Sequence, residues 1–215
     1  MKGSFRTFFV LNDPFMTPAR PSGARKPEAP GAKASHHGRM EAPAETLADE
    51  VVTLRRWQPR QLEALAVVAG DSAAHLGAWM LWATNGYGRR EAAGFLENTA
   101  RNWAEGKTYD FAILAEDEIV GGTGMIIHPD RIEIGYWLGR HHTGRGFVTR
   151  AAKLLADEAF RLGAPEVEIR HDENNVASGA VPARLGFTMI GDEATEPPLA
   201  PACAGVTRIW RLKRP

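Results

Sequence analysis

The sequence of residues 132–155 is Ile-Glu-Ile-Gly-Tyr-Trp-Leu-Gly-Arg-His-His-Thr-Gly-Arg-Gly-Phe-Val-Thr-Arg-Ala-Ala-Lys-Leu-Leu, and this stretch decides the fold of the chain. Side chains alternate in character over residues 132–138, with the period of a strand. From Val148 onward, apolar residues recur with helical spacing, and the helix is predicted to end at Gly163. The stretch therefore predicts a strand, a glycine-bearing turn and a helix in succession.

The turn at residues 139–146 has the properties of an anion-binding site. Gly144 and Gly146 let the backbone approach a ligand without side-chain obstruction. The amides of residues 145–148 open the helix without intrahelical acceptors, and the helix dipole adds partial positive charge there. These groups favour a phosphate or pyrophosphate, as do the nearby Arg140, Arg145 and Arg150. The alternative is an ordinary tight turn between a strand and a helix.

Composition describes an ordinary globular protein without an overall charge bias. The chain has 215 residues, 44% of them hydrophobic, and 26 Lys and Arg balance 26 Asp and Glu. This balance gives no support for a nucleic-acid or membrane partner. Cys203 is the one cysteine, which excludes an internal disulfide or a cysteine-based metal cluster and fits a cytoplasmic location. No apolar run approaches the roughly 20 residues of a membrane span.

Two regions of different character divide the chain. Residues 1–45 are rich in proline and carry an excess of basic residues, which predicts a disordered basic extension. Few aromatic residues interleave with the basic ones, which argues against a nucleic-acid-binding arm. Residues 46–215 are predicted to form a single folded domain.

The elements predicted for the folded region follow the order β-α-α-α-β-β-β-α-β-α-β-β. They indicate an α/β protein of the mixed α+β kind, with a mostly antiparallel twisted sheet of about seven strands flanked by helices. The strands at residues 132–138 and 166–170 enclose the central helix and are predicted to be parallel. The first strand is predicted at residues 51–57. Three glycines in the strand at residues 118–127 indicate a bulge or a close approach of another chain or a ligand.

Two motifs in this order resemble those of the GNAT N-acetyltransferase superfamily. The first joins residues 133–138 to residues 143–148 and is similar to the acetyl-CoA-binding motif of that family. The second covers residues 172–178 and leads to residues 183–187. Residues 75–82 resemble the branch that contains the ribosomal-protein N-terminal acetyltransferases. The resemblance implies a GNAT-like fold, an acyltransferase activity and acetyl-CoA as the cofactor.

The resemblance also implies where the cofactor lies. The implied cofactor-binding residues are Trp137, Leu138, Gly139, Thr143, Gly144, Arg145, Gly146, Phe147, Val148, Thr149, Asn175 and Ser178. The family pattern is Gln/Arg-x-x-Gly-x-Gly/Ala. When this pattern is laid on residues 143–148, Thr143 replaces the Gln or Arg and Val148 replaces the small last residue. Both departures bear on the affinity for the cofactor, although the backbone amides remain.

Glu133 is the predicted general base of the transfer. An amine attacks a thioester only when it is neutral, so a group must take its proton. Glu133 lies mid-strand beside Tyr136 and Trp137, where partial desolvation favours the protonated carboxyl. In the family that the chain resembles, a glutamate on this strand takes the proton directly or through water. The alternative is a solvated carboxylate paired with Arg131.

The resemblance implies roles for two residues at the start of the short helix predicted over residues 175–185, in the second motif. Ser178 is the predicted proton donor to the leaving thiolate, and Asn175 is predicted to bond the pantetheine arm. Residues at such positions are also common helix caps, which is the alternative for both. The oxyanion donor is predicted to be a backbone amide at the end of the strand, at Leu138 or Gly139.

The acceptor site is predicted to involve Trp79, Trp82 and Tyr136, the tryptophans on the strength of the resemblance. His141 is an alternative base. No metal site is predicted, because the adjacent His141 and His142 point apart and no carboxylate lies at ligand spacing.

The predicted activity is direct transfer of an acetyl group to a primary amine, either a protein N-terminus or a small molecule. An aminoglycoside-type acceptor is one alternative, since Asp192, Glu193 and Glu196 form an acidic cluster in the late loop. A non-catalytic acyl-CoA-binding sensor is an alternative of another class. A homodimer is implied by analogy with the family only.

Overall fold

The structure, a computed structural model, describes residues 41–214. Residues 1–40, which hold most of the predicted disordered extension, lie outside the described residues. The chain is already packed ahead of the predicted domain boundary at residue 46. Pro43 is buried, and the Ala44 amide donates to the buried carboxylate of Glu158 at 2.9 Å. The folded region therefore includes residues that the sequence placed in the extension.

Within residues 41–214, one mixed sheet of eight strands forms the centre of the fold. The strands are β1 (Thr46–Ala48), β2 (Thr53–Arg56), β3 (Thr108–Ala115), β4 (Glu118–Ile127), β5 (Ile132–Leu138), β6 (Glu166–Asp172), β7 (Thr188–Ala194) and β8 (Val206–Lys213). Their spatial order is β1-β2-β3-β4-β5-β6-β8-β7. Only β5 and β6 pair in parallel among these strands, which confirms the predicted mostly antiparallel sheet. The extra strand is the short β1, which the sequence did not predict.

Five α-helices cover the two faces of the sheet in the described part of the chain. They are α1 (Leu62–Gly70), α2 (Ala73–Gly77), α3 (Arg89–Glu105), α4 (Phe147–Arg161) and α5 (Val176–Arg184), with 3-10 turns at Pro59–Gln61, Leu81–Ala83 and Arg140–His142. The apolar stripe of α4 packs on one face through Ala151, Ala152, Leu155 and Ala159. The other face packs against α1 and α3 through Leu65, Ala69, Ala92, Phe95 and Leu96. No helix within residues 41–214 has the length and apolarity to cross a membrane.

Strand β5 sends its side chains to both layers. Ile132, Ile134 and Tyr136 join the α4 layer, whereas Trp137 joins the α1 and α3 layer. Because side chains alternate along a strand, Glu133 lies on the same face as Trp137. The alternation seen in the sequence therefore places Glu133 and Trp137 on one face of the sheet and Tyr136 on the other.

The glycines of β4 make room for Trp137. A β-carbon at Gly122 would lie 2.6 Å from the indole Nε1 of Trp137, which is closer than non-bonded atoms approach. The consecutive residues Ile113 and Leu114 of β3 pair with Gly121 and Ile119, so Val120 is the extra residue of a bulge in β4. The predicted bulge is therefore present, whereas the group that approaches Gly122 is a side chain of this chain and not another chain or a ligand.

The two parallel strands separate after a short contact. Residues Ile132–Ile134 of β5 pair with Val167–Ile169 of β6, and no later residues of the two strands pair. Strand β5 nevertheless continues to Leu138, held on its other side by β4. An opening therefore lies between the second half of β5 and the end of β6.

Asp110 is a buried carboxyl that joins α3 to β3. Its Oδ2 accepts hydrogen bonds from the hydroxyls of Thr99 at 2.7 Å and Thr108 at 3.0 Å. Burial raises the pKa of Asp110 to about 6 from its ordinary value of 3.8. The folded protein therefore binds this proton more tightly than the unfolded chain, and the stability that this proton contributes is lost as the pH rises from 3.8 to about 6.

We expect Asp110→Asn to change the free energy of unfolding more favourably at pH 8 than at pH 4. The reason is that the amide oxygen keeps both hydroxyl bonds without a charge. The change in relative stability across this range is at most about 3 kcal/mol, the size of the pKa shift in free energy. Urea unfolding at both pH values measures it. Asp157→Asn, at an exposed position on α4, is the matched control and should show no such dependence. A difference for Asp110→Asn that is constant with pH would contradict the expectation.

Candidate active site

The glycine turn adopts the conformation that anion binding requires. Gly144 and Gly146 have φ angles of +76° and +79°, in the left-handed region that favours glycine. Helix α4 begins at Phe147, and its first intrahelical bond runs from the Arg150 amide to the Gly146 carbonyl. The amides of residues 147–149 therefore have no intrahelical acceptors and lie at the positive end of the helix dipole. This arrangement suits a phosphate.

The two left-handed glycines correct the predicted register of the cofactor motif. The family pattern has glycine at its fourth position and a small residue at its sixth. Gly144 and Gly146 occupy these positions when the pattern is laid on residues 141–146. The register predicted over residues 143–148 is therefore wrong, and the departures assigned to Thr143 and Val148 disappear. In the corrected register, His141 alone departs from the pattern.

Arginine side chains surround this turn. Arg145 stacks over the ring of Phe147, 4.6 Å from its centroid, and lies 3.4 Å from the carboxylate of Glu116. Arg150, in the first turn of α4, pairs with Asp49 at 2.9 Å. Both pairs are solvent-exposed and therefore weak, so the guanidinium groups remain accessible to a phosphate ligand.

Backbone groups of β5 face the opening between β5 and β6. In an antiparallel ladder, alternate residues direct both backbone groups to the same neighbour. The Gly139 amide donates to the Val120 carbonyl at 2.8 Å, so residue 139 belongs to the set that bonds β4. The backbone groups of Tyr136 and Leu138 therefore point toward the opening. Of the two predicted oxyanion donors, Gly139 is excluded because its amide is already bonded, and Leu138 remains.

The residues of the second motif lie across this opening from β5. Asn175 caps α5, and its side-chain oxygen accepts the Ser178 amide at 3.1 Å. The Ser178 hydroxyl donates to the phenol of Tyr136 at 3.3 Å, and that phenol donates to the Ser178 carbonyl at 3.0 Å. Burial raises the pKa of Tyr136, so the phenol stays neutral. The capping alternative holds for Asn175, and the Ser178 hydroxyl lies at the opening.

Tyr136 lies on one face of the sheet, whereas Trp82 and Trp137 lie on the other. Trp82 packs edge-on against Trp137 with ring centroids 5.9 Å apart. Tyr136, which was predicted with Trp79 and Trp82 at the acceptor, lies instead against α5 on the far face. The side chain of Trp137, predicted to contact the cofactor, is buried under the α1 layer. The tryptophan face is thus the better candidate for the acceptor.

The loop between β7 and β8 contacts the segment that carries Trp79. The Ala202 amide donates to the Ala78 carbonyl at 2.9 Å, and the Cys203 thiol lies 3.8 Å from the Trp79 carbonyl. Asp172, at the end of β6, accepts the amides of Ala204 and Gly205. The loop at residues 195–205 is therefore tied both to the end of β6 and to the segment that carries Trp79.

Glu133 is buried, with 3% of its surface exposed. Its Oε2 lies 3.2 Å from Nε2 of His128 in the β4–β5 turn. The alternative partner predicted from the sequence, Arg131, instead contacts Asp130 and Glu168. The predicted base is therefore desolvated, as expected, and its neighbour is an imidazole.

Glu168 is a charged centre that the sequence did not single out. It is fully buried on β6, and the guanidinium groups of Arg131, Arg170 and Arg211 lie within 3.2 Å of its carboxylate. Burial alone would raise the pKa of Glu168, but the hydrogen bonds from Arg170 and Arg211 hold it below its ordinary value. A glutamate and an arginine inside the apolar strand Glu166–Asp172 were the available signal.

This geometry has counterparts among known proteins. The chain matches the family model described as an acetyltransferase (GNAT) domain over residues 52–188. It therefore belongs to the GNAT acetyltransferase family, which confirms the predicted resemblance, the acyltransferase class and acetyl-CoA as the cofactor. The left-handed glycine turn, the open helix start and the gap beside β5 fit a phosphate-bearing cofactor with a long arm.

Individual relatives bear the names of N-acetyltransferases. YdaF of Bacillus subtilis (strain 168), named as a candidate ribosomal N-acetyltransferase, is 29% identical over 147 residues, or 65% of this chain and 79% of YdaF. A structure of RimL, titled as a ribosomal L7/L12 alpha-N-protein acetyltransferase with coenzyme A, has a TM-score of 0.73 at 21% identity and covers 79% of this chain and 98% of RimL. The self-immunity acetyltransferase MccE, with acetyl-CoA and AMP, has a TM-score of 0.72 at 22% identity, covering 77% and 94%. At these identities, the solved structures establish the fold.

Proposed function

We propose that this chain transfers the acetyl group of acetyl-CoA directly to a primary amine, with a protein N-terminus as the favoured acceptor. The observation that carries the proposal is the placement of Glu133 and Ser178. Ser178 lies at the opening between β5 and β6, whereas Glu133 lies in the adjoining paired part of β5, with its side chain on the other face. A base and an acid separated in this way can serve the two ends of one transfer without neutralising each other.

Each group of the site has a distinct task in this proposal. Bound acetyl-CoA supplies an activated acetyl thioester. The amides at the start of α4 hold its phosphates. The Leu138 amide stabilises the negative charge that develops on the acyl oxygen. Glu133 takes the amine proton on the tryptophan face, and the Ser178 hydroxyl donates to the departing thiolate on the α5 face.

No side chain of β4 or β5 stands between Glu133 and Trp137 on their shared face of the sheet. Gly124 and Gly135 are paired partners in the β4–β5 ladder, and they lie between these two residues on the same face. Four residues of strand span about 13 Å, so Glu133 reaches an amine near Trp137 through water. The paired glycines leave space for such a water path.

The cysteine supports transfer without an acetylated enzyme. Burial raises the pKa of the Cys203 thiol, which lowers the fraction of reactive thiolate. The thiol also lies against the Trp79 carbonyl, and the nearby carboxylate of Asp172 raises the pKa of the thiol further. Direct transfer from cofactor to amine is therefore the simpler route.

The aminoglycoside alternative loses part of its basis. Asp192 lies 3.8 Å from Arg208, and Glu193 lies 3.1 Å from Arg170. These pairs neutralise two members of the acidic cluster that would attract a polycation. The names of YdaF and RimL favour a protein N-terminus instead.

The sensor alternative rested on two departures from the cofactor motif, and the corrected register removes both. The cytoplasmic location and the homodimer predicted from the sequence stay predictions.

Thiol release from acetyl-CoA, measured with a panel of amines, tests the proposed function. The panel contains peptides with free N-termini, the same peptides with blocked N-termini, polyamines and aminoglycosides. We expect turnover with free peptides and none with their blocked counterparts. Turnover confined to aminoglycosides or polyamines would shift the acceptor class. Tight binding of acetyl-CoA without turnover for any amine would favour the sensor.

Ser178→Ala should lower kcat about tenfold at neutral pH with little change in the KM for acetyl-CoA, because the thiolate loses its proton donor. Steady-state thiol release measures both constants. Tyr136→Phe keeps the Ser178 hydroxyl and removes its partner, so its effect on kcat should be smaller. A Ser178→Ala variant with the full rate would show that Ser178 serves only the helix start.

A further inference from the structure

Of the two carboxylate oxygens of Glu133, one is hydrogen-bonded and the other has no hydrogen-bond partner among the described residues. Its Oε2 lies 3.2 Å from His128 Nε2. Its Oε1 is buried and, among residues 41–214, has no hydrogen-bond partner. A buried acceptor left without a hydrogen-bond donor lowers the stability of the fold. Because the unpartnered oxygen lowers stability, its presence points to a role in function and not in folding.

Glu168, the carboxylate next to Glu133, is fully ion-paired, unlike Glu133. Glu168 lies directly opposite Glu133 in the β5–β6 ladder and is surrounded by three guanidinium groups. Arg170, which also pairs with Glu193, acts on Glu133 only through longer-range attraction. No arginine in the described part of the chain forms an ion pair with Glu133. His128 is the side chain that bonds it there.

His128 is itself held in place by the turn. Its backbone amide donates to the Arg131 carbonyl at 3.0 Å, which closes the β4–β5 turn. Its side chain is 29% exposed, whereas that of Glu133 is 4% exposed. The imidazole therefore lies at the boundary between the buried carboxylate and solvent. A general base is an ionised carboxylate, which accepts and does not donate, so in the proposed function Nε2 carries the proton of this hydrogen bond.

We propose that His128 is a positioning residue for the general base. Its Nε2–H holds Glu133 Oε2, which fixes the carboxylate rotamer and leaves Oε1 as the oxygen that receives the amine proton. Nothing covalent passes through His128, and its effect is exerted entirely through Glu133. The inference rests on the proposed function of Glu133 and adds to it the residue that orients the base.

A double-mutant cycle on the full chain tests this role. His128→Ala should lower kcat about tenfold without changing the KM for acetyl-CoA, because a freely rotating carboxylate is less often in the reactive orientation. His128→Gln keeps an N–H donor and should stay within about threefold of the wild-type rate. In a Glu133→Gln background, His128→Ala should have no further effect, since its action requires the carboxylate. Asp130→Asn, an exposed change in the same turn, is the control.

Two outcomes would overturn the positioning role. One is a His128→Gln variant as slow as His128→Ala, because a retained donor should suffice. The other is a double mutant whose loss equals the product of the two single losses, because independent effects multiply.

An NMR measurement separates this inference from the proposed function and also serves if His128→Ala does not fold. In the wild-type chain, we expect a protected Nε2–H resonance from His128 that Glu133→Leu removes and Asp130→Asn retains. Absence of that resonance from the wild type would overturn the positioning role whatever the turnover. Its presence in a chain that acetylates no amine would leave the hydrogen bond established and the proposed activity wrong.

Discussion

Glu133→Gln lowers kcat about 100-fold at neutral pH and much less at high pH, if Glu133 is the base of the transfer. The glutamine side chain is nearly isosteric but cannot accept the amine proton. At high pH, the amine is already neutral in solution and needs less help. General bases contribute about 10²- to 10⁴-fold, which sets the scale of the loss. Thiol release across the pH range, with an acceptor from the amine panel, measures the effect.

The control for this variant is Glu118→Gln on the adjacent strand β4. Glu118 is an exposed strand carboxylate, so its replacement removes a charge without touching the site. We expect unchanged kcat at every pH. Thermal unfolding of both variants checks that the fold is kept. An equal loss for Glu133→Gln at neutral and high pH would count against its role as base.

Gly146→Val should raise the KM for acetyl-CoA by more than tenfold and weaken direct binding of coenzyme A in parallel. Gly146 is the N-cap of α4 with a φ of +79°, a conformation that costs an L-residue about 1–2 kcal/mol. A β-branched residue relieves that strain by moving the turn. The movement displaces the amides of residues 147–149, which are the proposed phosphate ligands. Calorimetric titration with coenzyme A measures binding without an acceptor amine.

Gly163→Val separates this effect from a loss of stability. Gly163 follows the other end of the same helix, with a φ of +92° and open space around its Cα. The substitution imposes a similar backbone strain far from the glycine turn. We expect both variants to unfold at lower temperature and only Gly146→Val to lose affinity. Equal affinity losses would mean that the turn is not the phosphate site.

The sequence alone predicted the parts of this site that depend on neighbours along the chain. Glycines two apart before a helical repeat predict a left-handed turn and an open helix start, whatever surrounds them. The alternation in residues 132–138 also predicted that Glu133 lies opposite the main apolar face. The register of the glycine motif was nevertheless misplaced by two residues, although Gly144 and Gly146 already stand in the sequence at the spacing that the pattern requires.

Contacts between distant parts of the chain were beyond the sequence. Tyr136 and Ser178 are 42 residues apart, and their hydrogen bond places Tyr136 away from the acceptor tryptophans. The three arginines around Glu168 come from the β4–β5 turn and from two strands. Such contacts depend on which strands become neighbours, a property that periodicity does not contain.

The sequence by itself determined the strand, turn and helix of residues 132–155, because strand alternation, glycine conformation and helix amphipathicity are local properties. The tertiary structure decided what those elements do together. Pairing with β4 directs the Gly139 amide away from the opening and leaves Leu138 facing it. Separation of β5 from β6 creates the opening, and the β4–β5 turn brings His128 to Glu133. These features arise from hydrogen bonds and packing between elements, which exist only once the sheet has formed.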